Sequence, residues 1–222
     1  MRQFRALDLF CGAGGASMGL HRAGFEVVGI DISIQKHYPF KFIQGNALTA
    51  DLSGYDFVWA SPPCQRWTVS QNASKNRDAH PDLIAPVRAK LQAWGGPWIM
   101  ENVVGAPLLN PTMLCGLALG LKVKRHRLFE SNRFLLAPPC GGHDQDYYLL
   151  QGREVRNRVR MGADPKGTRC GLRVATSIGR DAMGIDWMTR AEMSEAIPPA
   201  YSELLGRQVI AALTPPAAGP VK

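Results

Sequence analysis

The chain has no apolar run of the length needed to cross a bilayer, and its first residues, Met1-Arg2-Gln3-Phe4-Arg5, are charged and lead straight into a strand pattern. A secretory leader and a membrane span are therefore not expected, and the sequence reads as cytoplasmic. Cysteine is sparse: Cys11, Cys64, Cys115, Cys140 and Cys170 form an odd set of 5 without a repeated spacing. That excludes a closed disulfide framework, leaves at least one free thiol, and points to a reducing compartment. Acidic residues are in deficit, 18 against 26 Lys and Arg, so the net charge is +8. A polyanionic partner fits that balance. With 45% hydrophobic residues in 222, the chain can bury one sizeable core and is not a disordered polymer.

The surplus charge is concentrated. Between Arg153 and Arg180 lie Arg153, Arg156, Arg158, Arg160, Lys166, Arg169, Arg173 and Arg180, opposed by Glu154 and Asp164 alone. The first two thirds alternate between strand and helix patterns. Strands are expected at Arg5 to Phe10, Glu26 to Ile30, Phe40–Ile43, Phe57–Ala60 and Trp98–Met100, with helices from Ala16 to Ala23, capped by Gly24, and from about Pro81 to Ala93. Such alternation implies an α/β fold, a doubly wound, mainly parallel sheet covered on both faces. Ligands of such sheets bind beyond the carboxyl ends of the strands, and the notable motifs of this chain fall there.

Phe10-Cys11-Gly12-Ala13-Gly14-Gly15 joins a strand to a helix through glycines, which let a ligand approach the backbone and face the helix N-terminus. Alone, such a turn could be only a tight connection. Asp31 closes the next strand roughly 20 residues on, where an acid accepts hydrogen bonds from ribose hydroxyls. Together they suggest an adenosine-containing cofactor. Ser61-Pro62-Pro63-Cys64-Gln65 follows an apolar strand, and two prolines cannot continue its ladder, so the thiol is carried out on a rigid turn. Cys64 is then a candidate nucleophile, the alternative being a buried thiol packed as a small hydrophobe. The polar stretch after it, with Arg66, Trp67, Lys75 and Arg77, reads as an exposed loop. Trp98-Ile99-Met100-Glu101 is an apolar strand ending on a carboxylate, which beside a nucleophile becomes a candidate acid.

In this order, Phe10-Cys11-Gly12-Ala13-Gly14-Gly15, Pro62-Pro63-Cys64-Gln65, Glu101-Asn102-Val103 and Arg125-His126-Arg127 resemble the signatures of the cytosine-5 DNA methyltransferases. The resemblance covers roughly residues 1–135 and 183–212, and it implies a Rossmann-like class I methyltransferase with a small basic insert. It implies S-adenosylmethionine as cofactor, held by Phe10, Gly12, Ala13, Gly14, Gly15, Asp31, Ile32, Asn46, Ala47, Pro63 and Arg207. It also implies catalysis by Cys64, Glu101, Arg125 and Arg127 on a flipped cytosine in double-stranded DNA. Cys64 would add to carbon 6, Glu101 would act as the acid, and the two arginines, expected to alternate along one strand, would hold the base and the carboxylate. The parts expected are a cofactor-binding and catalytic domain over 1–137, a basic DNA-contacting insert over 138–182, a return segment over 183–213 and a disordered tail over 214–222. A monomer is expected.

The chain departs from the family pattern in three places. The region from Phe129 to Asp186 is short for one that reads sequence. Asn46 stands where the family usually has aspartate, and Arg207 where it usually has asparagine. The last two raise the positive charge around the cofactor and suggest transfer of a carboxylated methyl group, unless Arg207 points away or pairs with Glu203 one turn earlier. RNA or free cytosine nucleotide as substrate, a binding protein without turnover, and a dinucleotide-dependent oxidoreductase are the other functions weighed. Cys140-Gly141-Gly142-His143 has metal-ligand spacing, but with Cys170 it makes only three ligands unless Cys115 is recruited, where a closed zinc site needs four, so no metal is expected.

Overall fold

A computed structural model describes residues 2–68, 77–143, 146–150, 172–214 and the backbone of 159–160. Seven strands form the main sheet in the order β3-β2-β1-β4-β5-β7-β6: β1 (Arg5–Leu9), β2 (Glu26–Asp31), β3 (Lys41–Gln44), β4 (Phe57–Ala60), β5 (Trp98–Asn102), β6 (Thr112–Leu114) and β7 (Arg127–Ser131). β1 to β5 pair in parallel, while β7 runs antiparallel between β5 and β6. The helices are α1 (Gly15–Ala23), α2 (Ile84–Trp94), α3 (Thr176–Met183), α4 (Arg190–Glu195) and α5 (Pro199–Leu213). No helix among the described residues is long and apolar enough to cross a membrane.

Alternation along each strand divides the interior into two layers. Ala6, Phe57, Trp59, Ile99 and Phe129 face α1 and α5, meeting Leu20, Tyr201, Leu205 and Val209. Leu7, Leu9, Val28, Val58, Ala60 and Met100 face the other way onto Ile84, Val87 and Leu91 of α2. A third cluster joins Ala13 and Val123 to Leu150, Val174, Met183, Met188 and Met193. There a small second sheet, β8 (Tyr148–Leu149), β10 (Leu172–Arg173) and β9 (Val159–Arg160), packs beside α3.

The contact between α1 and α5 is unusually close because both helices present small residues. A Cβ on Gly19 would lie 2.0 Å from the Pro199 carbonyl oxygen, and one on Gly15 would lie 2.4 Å from that of Ile197. Ser202 completes the seam, its Oγ donating to the Ala16 carbonyl at 2.8 Å. Elsewhere Glu130 on β7 is buried against Arg88 of α2 in a two-pronged pair of 2.6 and 2.7 Å, and also accepts from the Leu109 amide. This ties α2 to the antiparallel strand.

The main differences from the sequence expectation are small and have local causes. β1 stops at Leu9 because Phe10 adopts φ 61°, turning the chain at the glycines. β5 runs on through Glu101 and Asn102 because β7 pairs with it there, an antiparallel partner that strand periodicity alone did not expose. Because the colliding atom at Gly19 is backbone and cannot rotate aside, Gly19→Ala is expected to lower stability by about 3 kcal/mol. Thermal unfolding should show a midpoint fall of roughly 6–12 °C.

Candidate active site

The carboxyl ends of β1, β2, β4 and β5 meet at one edge of the sheet, bringing the glycine turn, Asp31, the Cys64 turn and Glu101 together. The strand β4 gives way at Ser61, whose amide still donates to the Leu9 carbonyl at 3.0 Å. Pro62 and Pro63 then end the ladder, and Asn102 on β5 donates from Nδ2 to the Pro62 carbonyl at 2.9 Å, anchoring the turn to the neighbouring strand. After Cys64 the chain coils back, with Trp67 and Thr68 amides both donating to the Cys64 carbonyl. Cys64 is half-buried. Residues 69–76, including Lys75 of the expected loop, lie outside the described residues. At the base of that loop, Arg66 donates to Asp78 at 3.1 Å and to the His80 carbonyl.

Glu101 is buried on the α1/α5 face of β5, opposite Phe129 of β7. Two residues along β7 on the same face comes Arg127, a diagonal cross-strand neighbour, and its Nε lies 3.0 Å from Glu101 Oε1. Burial pushes the Glu101 carboxyl up, against Arg127, Arg125 and a hydrogen bond from Ser61. Burial and the Glu101 charge push the Cys64 thiol up, and Arg127 pulls it down. Cys64, Glu101 and Arg127 thus form one electrostatic group.

Arg125 does not alternate with Arg127 along a strand as expected. It precedes β7 at φ 25°, held there by Tyr201, whose hydroxyl donates to the Arg125 carbonyl at 2.6 Å. Its guanidinium donates to the Ser194 carbonyl, and Nε has no partner among the described residues. Burial, with Arg127 beside it, pulls Arg125 down to about 9.

The cofactor residues divide sharply. Gly12 donates its amide to Asp31 Oδ2 at 3.1 Å, and the Ser33 amide donates to Oδ1 at 3.0 Å, so the carboxylate is fixed at the mouth of the glycine turn. Gly12 has φ 49° and no atom within 4 Å of the place a Cβ would take, while Ile32 beside it is 70% exposed. Gly14, at φ 85°, is closed in by Tyr38 and Pro39. An open cradle, a fixed acid and an uncovered apolar side chain fit the nucleoside end of S-adenosylmethionine, the cofactor of the methyltransferase class. Phe10 and Ala13 flank the turn, and Ala13 accepts from Trp187 Nε1 at 2.8 Å. Pro63 lies on the Cys64 turn, and Ala47 is buried beneath the β3 end. Asn46 is exposed and turns its Oδ1 back to the Leu48 amide at 2.9 Å, which is a local turn.

Arg207 corrects the expectation. It is exposed on α5 and pairs with Glu203 at 2.8 Å, while neighbouring Gly206 packs on Ala23 and Phe25, at the end of α1 remote from the glycine turn. A helix of nine residues separates it from that turn, so its charge does not reach the cofactor pocket. The basis for a carboxylated methyl group disappears with it. The expectation of no metal leaves Cys115 aside, whereas the structure brings Cys115, together with His126, to Cys140 and His143. Cys170, the third ligand counted, lies outside the described residues, as do Arg153, Arg156, Arg158, Lys166 and Arg169.

Sequence reading missed Asp8. It is fully buried on β1, takes a hydrogen bond from Ser17, and has an Oδ1 without a partner among the described residues. The only advance signal was a charged residue inside an apolar strand, on the face shared with Trp59 and Glu101. Burial pushes Asp8 up to about 7 from 3.8, helped by Asp31 and Glu101.

The sheet order and the glycine turn define a Rossmann-like fold of the kind seen in methyltransferases. Over 95% of the chain, the fold matches an E. coli prophage protein thought to be a DNA modification methyltransferase, with TM-score 0.65, 14% identity and 99% of that protein covered. It likewise matches the S. pombe Dnmt2 methyltransferase, with TM-score 0.61, 12% identity, and 95% and 99% of the two chains covered. In sequence, 74 residues are 34% identical to the type II methyltransferase M.FnuDI of Fusobacterium nucleatum, spanning 29% of this chain and 22% of that protein. Residues 4–110 match the family of C-5 cytosine-specific DNA methylases.

The pH dependence of stability should report Asp8. Folded Asp8 holds its proton more tightly than the unfolded chain does, so its contribution is fully present below the unfolded value of 3.8 and is lost as pH rises through about 7. Asp8→Asn removes that loss. The stability of the variant relative to the parent, measured by urea unfolding, should therefore rise between pH 4 and pH 8 by on the order of 4 kcal/mol. A difference that stays constant across this window would contradict the assignment.

Proposed function

We propose that the protein is a DNA (cytosine-5)-methyltransferase that moves a methyl group to carbon 5 of a flipped cytosine through a transient bond to Cys64. The observation that carries this reading is the grouping of the Cys64 thiol with the Glu101–Arg127 pair, at the sheet edge that also holds the glycine turn and Asp31. S-adenosylmethionine, when bound, supplies an electrophilic methyl carbon.

Cytosine is a weak carbon nucleophile, so its ring must first be activated. Cys64 Sγ gives up its proton to solvent and bonds to carbon 6, while Glu101 donates its proton to ring nitrogen 3. The ring electrons displaced toward carbon 5 form the bond to the methyl group, whose bond to the sulfonium sulfur would break, with the neutral thioether as leaving group. Loss of the carbon 5 proton to water then expels Cys64 as thiolate, and nitrogen 3 returns its proton to Glu101, which restores the neutral aromatic ring.

The electrostatics of the free protein favour this order. An ionised Glu101 opposes thiolate formation, but burial favours its protonated form, and in that form its charge no longer opposes the thiolate. The proton that makes Glu101 an acid therefore also releases Cys64. Arg127 lies close enough to stabilise the thiolate and, by its bond to Oε1, keeps the carboxyl oriented. Arg125 is already tied to Ser194 and Tyr201, which supports a positioning role at the edge of the site.

A stacked cytosine hides carbon 6, so duplex DNA must yield the base at a cost of a few kcal/mol, offset by contacts along the backbone. The net charge of +8 and the arginine-rich stretch favour such a polyanion and imply binding that weakens steeply with salt.

Duplex DNA containing 5-fluorocytosine should trap a covalent adduct stable to denaturation, because fluorine cannot leave as a proton does. The adduct should map to Cys64 and be absent from Cys64→Ala. Labelled cofactor offered with duplex DNA, transfer RNA and free cytidine nucleotides separates the substrates, and label passing only to RNA or nucleotide would overturn the DNA assignment.

Glu101→Gln should lower turnover by roughly 10²–10⁴-fold. The same change should make Cys64 more reactive toward iodoacetamide at alkaline pH, where Glu101 of the parent is ionised and its charge raises the thiol. Unchanged or slower alkylation would show that the two groups are not coupled as described.

A further inference from the structure

Four side chains that the methylation chemistry does not use converge on one point. Cys115, His126, Cys140 and His143 place their ligand atoms within 4.8 Å of one another. The two histidine Nε2 atoms are 3.1 Å apart. Cys140 Sγ lies 3.2 Å from His143 Nε2 and 3.5 Å from His126 Nε2, and Cys115 Sγ lies 3.5 Å from His143 Nε2.

The chain builds this cluster from three places. Leu114 and Arg127 are opposite in the β6–β7 register, so Cys115 and His126, the next pair beyond the strand ends, also face each other. Gly116 closes the intervening loop, donating its amide to the Lys124 carbonyl at 3.0 Å. Cys140 and His143 then arrive from the segment after β7, three residues apart behind Pro138 and Pro139.

Tetrahedral zinc with bonds of about 2.0–2.1 Å to nitrogen and about 2.3 Å to sulfur has edges of about 3.3 Å between nitrogens and about 3.5 Å between nitrogen and sulfur. The four separations given above follow that pattern to within a few tenths of an ångström. Hydrogen bonding alone gives two sulfurs and two ring nitrogens no reason to share one centre, because thiols are weak donors.

We propose that Cys115, His126, Cys140 and His143 form a closed, structural Cys2His2 zinc site. Two thiolates and two neutral imidazoles suit zinc and leave no position for a substrate. The ion would lose its last exchangeable ligand on closing and act as a clasp. Because His126 lies between Arg125 and Arg127, the clasp would fix the arm that presents Arg127 to Glu101, and would pin to it the start of the segment leading into the second sheet. This inference does not require the substrate to be DNA, or the protein to turn over.

Elemental analysis and native mass spectrometry of the full chain, prepared with zinc in the medium, should find about one zinc per chain. The cobalt-substituted protein should show the intense visible bands of a tetrahedral ion and sulfur-to-cobalt charge transfer. Stripping the ion with a chelator should lower the unfolding midpoint by on the order of 10 °C and expose Cys115 and Cys140 to thiol reagents. Cys140→Ala and His143→Ala should each lose the ion, whereas Cys170→Ala should keep it. Absence of metal after zinc addition, a Cys115–Cys140 disulfide in its place, an octahedral cobalt spectrum, or loss of the ion in Cys170→Ala would each overturn the proposal.

Discussion

The site depends on one buried ion pair. Glu101 sits out of water at the end of β5, and Arg127 reaches it at 3.0 Å from the neighbouring strand. A carboxylate alone in such a place would be neutral and unoriented, while one locked into a tight pair would be too stable as an anion to give up a proton. Here burial raises the group and the arginines lower it, and the raising effect is larger. Cys64 senses both partners, so the protonation state of this one carboxyl bears on whether the sulfur can act as a nucleophile.

The pair exists because β7 runs against its neighbour. Parallel strands bring their carboxyl ends to one edge, which collects the glycine turn, Asp31, Cys64 and Glu101. A side chain at the beginning of a strand would ordinarily lie at the opposite edge. Antiparallel pairing brings the first residue of β7 to the end of β5, delivering a cation from a part of the chain remote in sequence. The same reversal carries Cys115 and His126 outward together just past the strand ends, so the arm that bears Arg127 and the proposed metal clasp share one structural cause.

Much of this was legible beforehand because local sequence dictates it. Two prolines after an apolar strand must end the ladder, and glycines after the first strand must turn, so Cys64 and Gly12 were found from composition and spacing. Arg207 misled for the complementary reason. A motif position on a helix says which residue is present but not which face of the helix reaches the ligand, and the guanidinium pairs with Glu203 on the exposed side. Asp8 was passed over because its significance lies in its surroundings: Ser17, Asp31 and Glu101 come from three other elements.

By itself, the sequence determined the five parallel strands, where the chain must turn, and which thiol and carboxyl the edge of the sheet would carry. These follow from periodicity and from the backbone limits of proline and glycine, which act over a few residues. Only the tertiary structure decided that Arg127 meets Glu101, that Arg207 does not meet the cofactor pocket, and that Cys115 and His126 complete a four-ligand set with Cys140 and His143. Strand direction and helix facing are settled by packing across the whole core, so no local pattern records them.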